Sequence, residues 1–187
     1  RKARSFFATT QFDVISDSDA VIICVPTPLA EGDPDLSYVD SAIDNILPHL
    51  HQDLLISLES TVYPGMTREN IAPLLEKSGY TIGEDIFLCF SPERVNPGGE
   101  RWGIENTPKV VSGLTPNCLE KGVTLYRSVI SHIVPVLSLD TAEMVKLVEN
   151  SFRAVNIAFA NEIMLLCDRL HLDVKEVLEA AATKPFG

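Results

Sequence analysis

Three short, almost wholly apolar runs, each closed by a loop of unusual composition, constrain this chain more than any other feature. Ala20 to Val25 ends in Pro26-Thr27-Pro28, Leu54 to Leu58 in Glu59-Ser60-Thr61-Val62-Tyr63-Pro64-Gly65, and Ile86 to Phe90 in Ser91-Pro92-Glu93-Arg94. A strand that faces water on one side alternates; strands apolar at nearly every position are buried on both faces, which is the habit of parallel sheets covered by helices. Helical patterns fall between the runs. Leu36-Ser37 opens one with Ala42, Ile43, Ile46 and Leu47 on one face, and Met66 to Ser78 forms the next, with Gly79 as its stop. Lys109 to Ser112 and Ile133 to Leu137 read as shorter strands flanking a helix that begins near Thr115-Pro116, a capping hydroxyl followed by proline in the first turn. The βαβα order predicts an α/β fold with a mostly parallel sheet, whose ligands bind at the carboxyl ends of the strands.

From Leu139 to about Leu170 the pattern becomes one long helix of about 30 residues, roughly 45 Å at 1.5 Å per residue. That exceeds what a covering helix needs, so the spacing predicts a link to a second domain starting near residue 138; a long core helix is the plainer alternative. The chain has 187 residues, about a domain and a half. Arg1 to Asp19 carries no recognisable domain opening, and Lys184-Pro185-Phe186-Gly187 follows directly on a strong helix. These ends lead us to expect an internal piece of a longer protein.

Composition excludes several classes. Against 15 Lys+Arg stand 26 Asp+Glu, a net charge of −11, with 7% aromatics and no basic run, so a surface built on phosphate neutralisation of nucleic acid is not expected. The longest apolar run is far short of the ~20 residues of a membrane helix, and the basic start Arg1-Lys2-Ala3-Arg4 leads into no apolar core of a signal peptide. Cys24, Cys89, Cys118 and Cys167 form no C-x-x-C pair and have no nearby His cluster, so we expect no metal site and reduced thiols in the cytoplasm, with Cys24 and Cys89 as small core residues. His49, His51, His132 and His171 are scattered at element ends and receive no role.

A parallel sheet would bring Thr27, Thr61, Glu93 and Arg94 to one edge. A hydroxyl there can meet a cofactor phosphate, ribose or bound water, and a carboxylate can act as a base. The bland alternatives are turn hydroxyls for the threonines and a surface ion pair for Glu93 and Arg94. The long helix adds Lys146, Asn150 and Arg153 at i, i+4 and i+7, within about 60° of one face, among Val145, Leu147, Val148, Phe152 and Val155, which are expected to be buried. Two cations and an amide invite an anion such as a diphosphate, a carboxylate or a reaction oxyanion. A solvated face, with Glu143 and Glu149 neutralising the cations, is the alternative.

Taken together, Val25-Pro26-Thr27-Pro28 with Asp35-Leu36-Ser37-Tyr38-Val39, Ser60 to Gly65, Ser91-Pro92-Glu93-Arg94, and Glu143-Met144-Val145-Lys146-Leu147-Val148-Glu149-Asn150 resemble the UDP-glucose/GDP-mannose dehydrogenase family, in order and across nearly the whole chain. Ser91 to Gly98, Arg153, Asn156-Ile157-Ala158 and Ala180 to Gly187 look most like its UDP-N-acetylhexosamine dehydrogenases, especially those acting on UDP-N-acetylglucosamine. The resemblance implies a Rossmann-like NAD-binding domain lacking its first part over residues 1–137, then the start of a central helical, dimer-forming domain over 138–187. It implies a twofold NAD-dependent oxidation of the C6 hydroxymethyl group of a UDP-sugar, through capture by a cysteine and hydrolysis of a thioester.

By motif position, the resemblance gives NAD contacts to Val25, Pro26, Thr27 and Thr61, with Thr61 also holding a water used in proton transfer. Glu93 becomes the base for thioester hydrolysis, Arg94 and Val95 line the sugar pocket, Lys146 and Asn150 stabilise oxyanions, and Arg153 meets the nucleotide sugar. Departures accompany it. The Gly-rich turn, the ribose-holding acid and the Gly-Gly-His-Cys motif of the catalytic thiol are not among these residues, no cysteine here inherits that role, and Pro97 stands where some relatives carry a second acid. Two other readings compete with it. One is a non-catalytic nucleotide-binding or oligomerisation module. The other is a dehydrogenase of the hydroxyisobutyrate or phosphogluconate type, against which the Pro-Thr-Pro and Ser-Pro-Glu-Arg loops argue.

Overall fold

The computed structural model describes residues 6–95 and 103–185. Arg1 to Arg4, Asn96 to Gly99, and Phe186-Gly187, used above as sequence signals, lie outside the described residues. Five strands form one sheet in the order β1 (Ala20–Ile23), β4 (Leu55–Leu58), β5 (Phe87–Phe90), β6 (Lys109–Gly113), β7 (Ile133–Pro135). A small antiparallel ribbon, β2 (Leu29–Ala30) with β3 (Asp33–Pro34), follows the first loop and turns through Glu31 and Gly32 at positive φ. The ribbon was not legible in the sequence.

β1, β4 and β5 are parallel and level: Ala20 pairs with Leu55 and Leu55 with Phe87, while Ile23 pairs with Leu58 and Leu58 with Phe90. Their carboxyl ends therefore open on one edge, as expected. All eight residues of β4 and β5 are buried. β1 departs from the expectation of burial on both faces. Ile22 is 44% exposed, because among the described residues β1 pairs only with β4. The strand also stops at Ile23 rather than Val25, whose N–H donates to the Ser60 hydroxyl instead of a strand partner.

β6 runs antiparallel to β5, with Phe90 opposite Ser112, and β7 is parallel to β6. A parallel return requires a crossover helix, and the described part of the 91–108 connection is turn and loop. The consequence is functional. The start of β6, not its end, reaches the edge where β4 and β5 finish, and it delivers Lys109 there.

Helix α1 (Ser37–Ile46) buries Val39, Ile43 and Ile46, and the Asp35 carboxylate accepts the Ser37 N–H at 2.9 Å at its start. The Ser37 hydroxyl first, and this N–H second, hold the Asp35 carboxyl below the ordinary carboxylate range. The helix expected over Met66 to Ser78 begins as a π-helical turn, Thr67–Ile71, before α2 (Ala72–Lys77). Pro73 has no N–H to donate, so the ladder is interrupted at that point. Gly79 ends it at φ +89°, as anticipated. α3 (Pro116–Arg127) starts on Thr115, whose hydroxyl accepts the Cys118 N–H at 3.2 Å.

α4 (Leu139–Leu170) is continuous over 32 residues, and α5 (Val174–Ala181) is capped by the Asp173 carboxylate on the Lys175 N–H. The chain divides into two compact units, 1–146 and 147–187. In the first, Leu139, Ala142 and Glu143 of α4 are buried. In the second, the expected burial of the helix is not met: Phe152, Val155 and Phe159 are 65–71% exposed. α5, with 8 residues, is too short to cover that length of α4. Among the described residues no helix is long and apolar enough to cross a membrane.

Candidate functional site

The first unit has a cleft of about 290 Å³ at the carboxyl ends of β1 and β4, lined by Cys24, Val25, Pro26, Thr27, Glu59, Ser60, Thr61 and Glu93. It brings together every strand-end residue expected to meet the cofactor. Ser60 explains how. Its buried hydroxyl accepts the Val25 N–H at 2.9 Å and donates to the Val25 carbonyl at 2.8 Å, while the Glu59 N–H donates to the Ile23 carbonyl. The two loops are thus stitched side by side, with Thr27 and Thr61 both half-buried.

Glu93, past the end of β5, faces this cleft and a second, more apolar one of about 360 Å³ bounded by Arg94, Val95, Lys109, Tyr126 and Ile22. Its carboxylate lies 3.3 Å from Lys146 Nζ, and Lys146 also donates to the Glu93 backbone carbonyl. The other Glu93 oxygen accepts the Val95 N–H. Lys146 is only 14% exposed at its side chain. An ammonium and a carboxylate side by side at a strand end can move protons and steady negative charge. Glu93 therefore pairs with the helix lysine rather than with Arg94, whose guanidinium donates to the Pro108 carbonyl at 2.7 Å. Asn150 and Arg153 belong to the second unit, where both are exposed and Arg153 borders a shallow groove with Glu149, Phe152 and Asn156.

Several residues at this edge were not singled out from sequence. Glu59 accepts the Tyr126 phenol at 2.7 Å and pairs with Lys109 at 3.1 Å; Ser57 shares the phenol at 2.8 Å, and Lys109 lies over the Tyr126 ring at 4.7 Å. Burial, with the Glu59 charge second, pushes the Tyr126 phenol far above its ordinary value. The signals were faint: an acid directly after an apolar strand, and one lysine opening another. Glu143, read as a possible neutraliser of cations, instead turns its carboxylate to the backbone of Gly65 and Thr67.

Cys24 corrects the sequence reading. It is exposed rather than a core residue, because β1 has already ended and its thiol borders the cleft; partial shielding there, then Glu59, raise its pKa. Cys89 is buried and pushed up to about 12, chiefly by burial. His49 meets Ser16, and His51 meets the carbonyls of Ile15 and Gln52, away from the cleft.

Residues 1–130 match the UDP-glucose/GDP-mannose dehydrogenase family, NAD binding domain, and residues 140–187 match its central domain. The chain belongs to the UDP-glucose/GDP-mannose dehydrogenase family. It is 41% identical to protein CapL of Staphylococcus aureus over 179 residues, covering 94% of this chain and 42% of that protein. With the UDP-N-acetyl-D-glucosamine 6-dehydrogenase of Pseudomonas aeruginosa it shares 37% over 187 residues, 98% of this chain and 44% of the relative. The solved UDP-D-ManNAc dehydrogenase of Pyrococcus horikoshii superposes with a TM-score of 0.88 at 37% identity, covering 96% of this chain and 43% of that one. The chain thus spans under half the length of the relatives it matches. In open α/β sheets ligands bind outside the carboxyl ends of the strands, and the paired hydroxyls and backbone groups at this edge are chemically suited to one flank of a dinucleotide.

Proposed function

We propose that this chain is an internal part of an NAD-dependent dehydrogenase that oxidises the C6 hydroxyl of a UDP-N-acetylhexosamine twice, to the uronate, in surface polysaccharide synthesis. The observation that carries the reading is the Glu93 and Lys146 pair beside the Thr27 and Thr61 cleft, in a chain of this family. NAD supplies the hydride acceptor when bound. Val25, Pro26, Thr27 and Thr61 hold it, and Thr61 also positions a water for proton transfer. Glu93 takes the proton of the water that hydrolyses the acyl group. Lys146 and Asn150 donate to the oxyanions, Arg153 meets the nucleotide sugar, and Arg94 and Val95 border the sugar.

UDP-N-acetylglucosamine is the preferred substrate in this proposal, supported by the motif resemblance and by relatives acting on it; others are named for UDP-N-acetyl-D-mannosamine. The residues 1–137 and 138–187 correspond in this reading to the later NAD-binding and early central domains. The exposed apolar side chains of α4 in the second unit support a homodimer built on the central helix. The reaction is placed in the cytoplasm, where NAD and nucleotide sugars are found. The test compares NADH formation by the full-length protein on UDP-N-acetylglucosamine, UDP-N-acetylmannosamine, UDP-N-acetylgalactosamine and UDP-glucose. The highest kcat/KM is expected on the first. A higher value on another UDP-sugar would move the substrate, and none on any of the four would contradict the activity.

A further inference from the structure

Glu143 sits in the second turn of α4 with no exposed surface. A carboxylate withdrawn from water is costly unless its oxygens are well hydrogen-bonded. Here Oε2 accepts the Gly65 N–H at 2.6 Å and Oε1 accepts the Thr67 N–H at 2.9 Å. These amides belong to the turn that leads from the Thr61 loop into the π-helical residues. Gly65 holds φ +96°, which lets neighbouring amides converge on one anion. Among the described residues the Thr67 hydroxyl is itself buried without a partner, and both hydrogen bonds to the carboxylate come from backbone N–H groups.

Two further contacts show what this clamp holds. Asp140, one turn earlier on α4, takes the Arg68 guanidinium at 3.0 and 3.3 Å. Lys146, three residues after Glu143, meets Glu93. Residues three apart on a helix are neighbours along it, so the rotation and height of this segment are fixed at Glu143 and expressed at Lys146.

We infer that Glu143 is a positioning residue: by clamping the Gly65 to Thr67 turn it locks the first turns of α4 against the Thr61 loop and so sets Lys146 against Glu93. This rests on the reading of Lys146 as an oxyanion donor. A residue that merely stabilised the turn would show no dependence on Lys146.

The test is a double-mutant cycle in the full-length protein, with kcat for NADH formation from UDP-N-acetylglucosamine as readout and thermal denaturation as a check on folding. Glu143→Gln keeps the shape but turns an NH₂ toward one of the two N–H donors. It is expected to lower kcat about tenfold when Lys146 is present and less than about twofold in a Lys146→Met background. Equal losses in both backgrounds would overturn the inference while leaving the dehydrogenase reading intact. If Glu143→Gln does not fold, Gly65→Ala disturbs the same turn from the other side, since its Cβ meets the Glu69 carboxylate at 3.2 Å and φ is unfavourable. It must show the same dependence on Lys146, and equal losses again overturn the inference. A wild-type protein without turnover on any UDP-sugar would instead bring down the proposed function, and this role with it.

Discussion

Lys109 Nζ stands 3.1 Å from Glu59 Oε2, with the two side chains only 11% and 15% exposed. The antiparallel entry of β6 makes this pair possible, and Glu59 lines the cleft with Ser60 and Thr61. Breaking such a pair leaves a poorly hydrated charge, whereas replacing both members with apolar groups does not. Lys109→Met is expected to lower unfolding free energy by ~2 kcal/mol, since the Tyr126 phenol still partners Glu59. The double variant Lys109→Met with Glu59→Leu should recover most of that loss. Urea denaturation midpoints decide it; a Lys109→Met midpoint equal to wild type would contradict the coupling.

That pair also marks the limit of what was legible in the sequence. The runs at 20–25, 54–58 and 86–90 revealed three parallel strands because strands covered on both faces have few polar residues, although β1 keeps Ile22 exposed. Leu139 to Leu170 was readable because its helical period is unbroken. The direction of β6 was not, since it is set by the connection rather than by the strand's own residues. The π-helical start of the 67–77 segment was hidden behind an ordinary amphipathic pattern broken only by Pro73. Cys24 is exposed where its apolar run suggests a core residue, because β1 stops at Ile23. That Thr27, Thr61 and Glu93 share one edge was legible from the parallel order of the three strands. Glu143 was not, because its partners are backbone amides 78 and 76 residues away, which no side-chain pattern records.

The Tyr126 phenol is held neutral by burial and by the Glu59 charge. An ultraviolet titration should leave Tyr126 un-ionised up to about pH 11 while the fold persists. Tyr126→Phe should leave the amplitude below that pH unchanged. A smaller amplitude in the variant would show that Tyr126 ionises normally.

Thiol accessibility tests the proposal that the Thr27 and Thr61 cleft takes the cofactor. Cys24 borders it, whereas Cys89 and Cys118 are buried, Cys89 with its pKa raised to about 12. Iodoacetamide at pH 8 should label Cys24 and spare Cys89 and Cys118, with labelling of Cys24 accelerating as pH rises because its thiol is harder to ionise than usual. Saturating NAD should slow that labelling. Peptide mass spectrometry checks both, and unchanged labelling of Cys24 under NAD would contradict the assignment of this cleft to the cofactor.

The Asp140 carboxyl lies below its ordinary range, first because it accepts the Arg68 guanidinium. A carboxylate depressed in the folded state adds stability at pH values above its unfolded pKa near 3.9, and that contribution disappears as pH falls through the folded value. Both side chains are substantially exposed, so the effect is small and salt-sensitive. Asp140→Asn should lower the melting temperature slightly at pH 7 and not at pH 2. An equal decrease at both pH values would contradict the ion-pair account.

Removing the ammonium beside Glu93 bears on the chemistry itself. Lys146→Ala in the full-length protein is expected to lower kcat on the order of 10²-fold, as loss of an oxyanion donor does. An unchanged kcat would leave the Lys146 contact as a structural feature only.

The most direct measurement of the central claim is stoichiometry: NADH formed per UDP-N-acetylglucosamine consumed by the full-length protein at completion, with the product identified by mass spectrometry. A twofold oxidation at C6 predicts two NADH per sugar and a uronate. One NADH per sugar with an aldehyde product, or no NAD reduction at all, would contradict it.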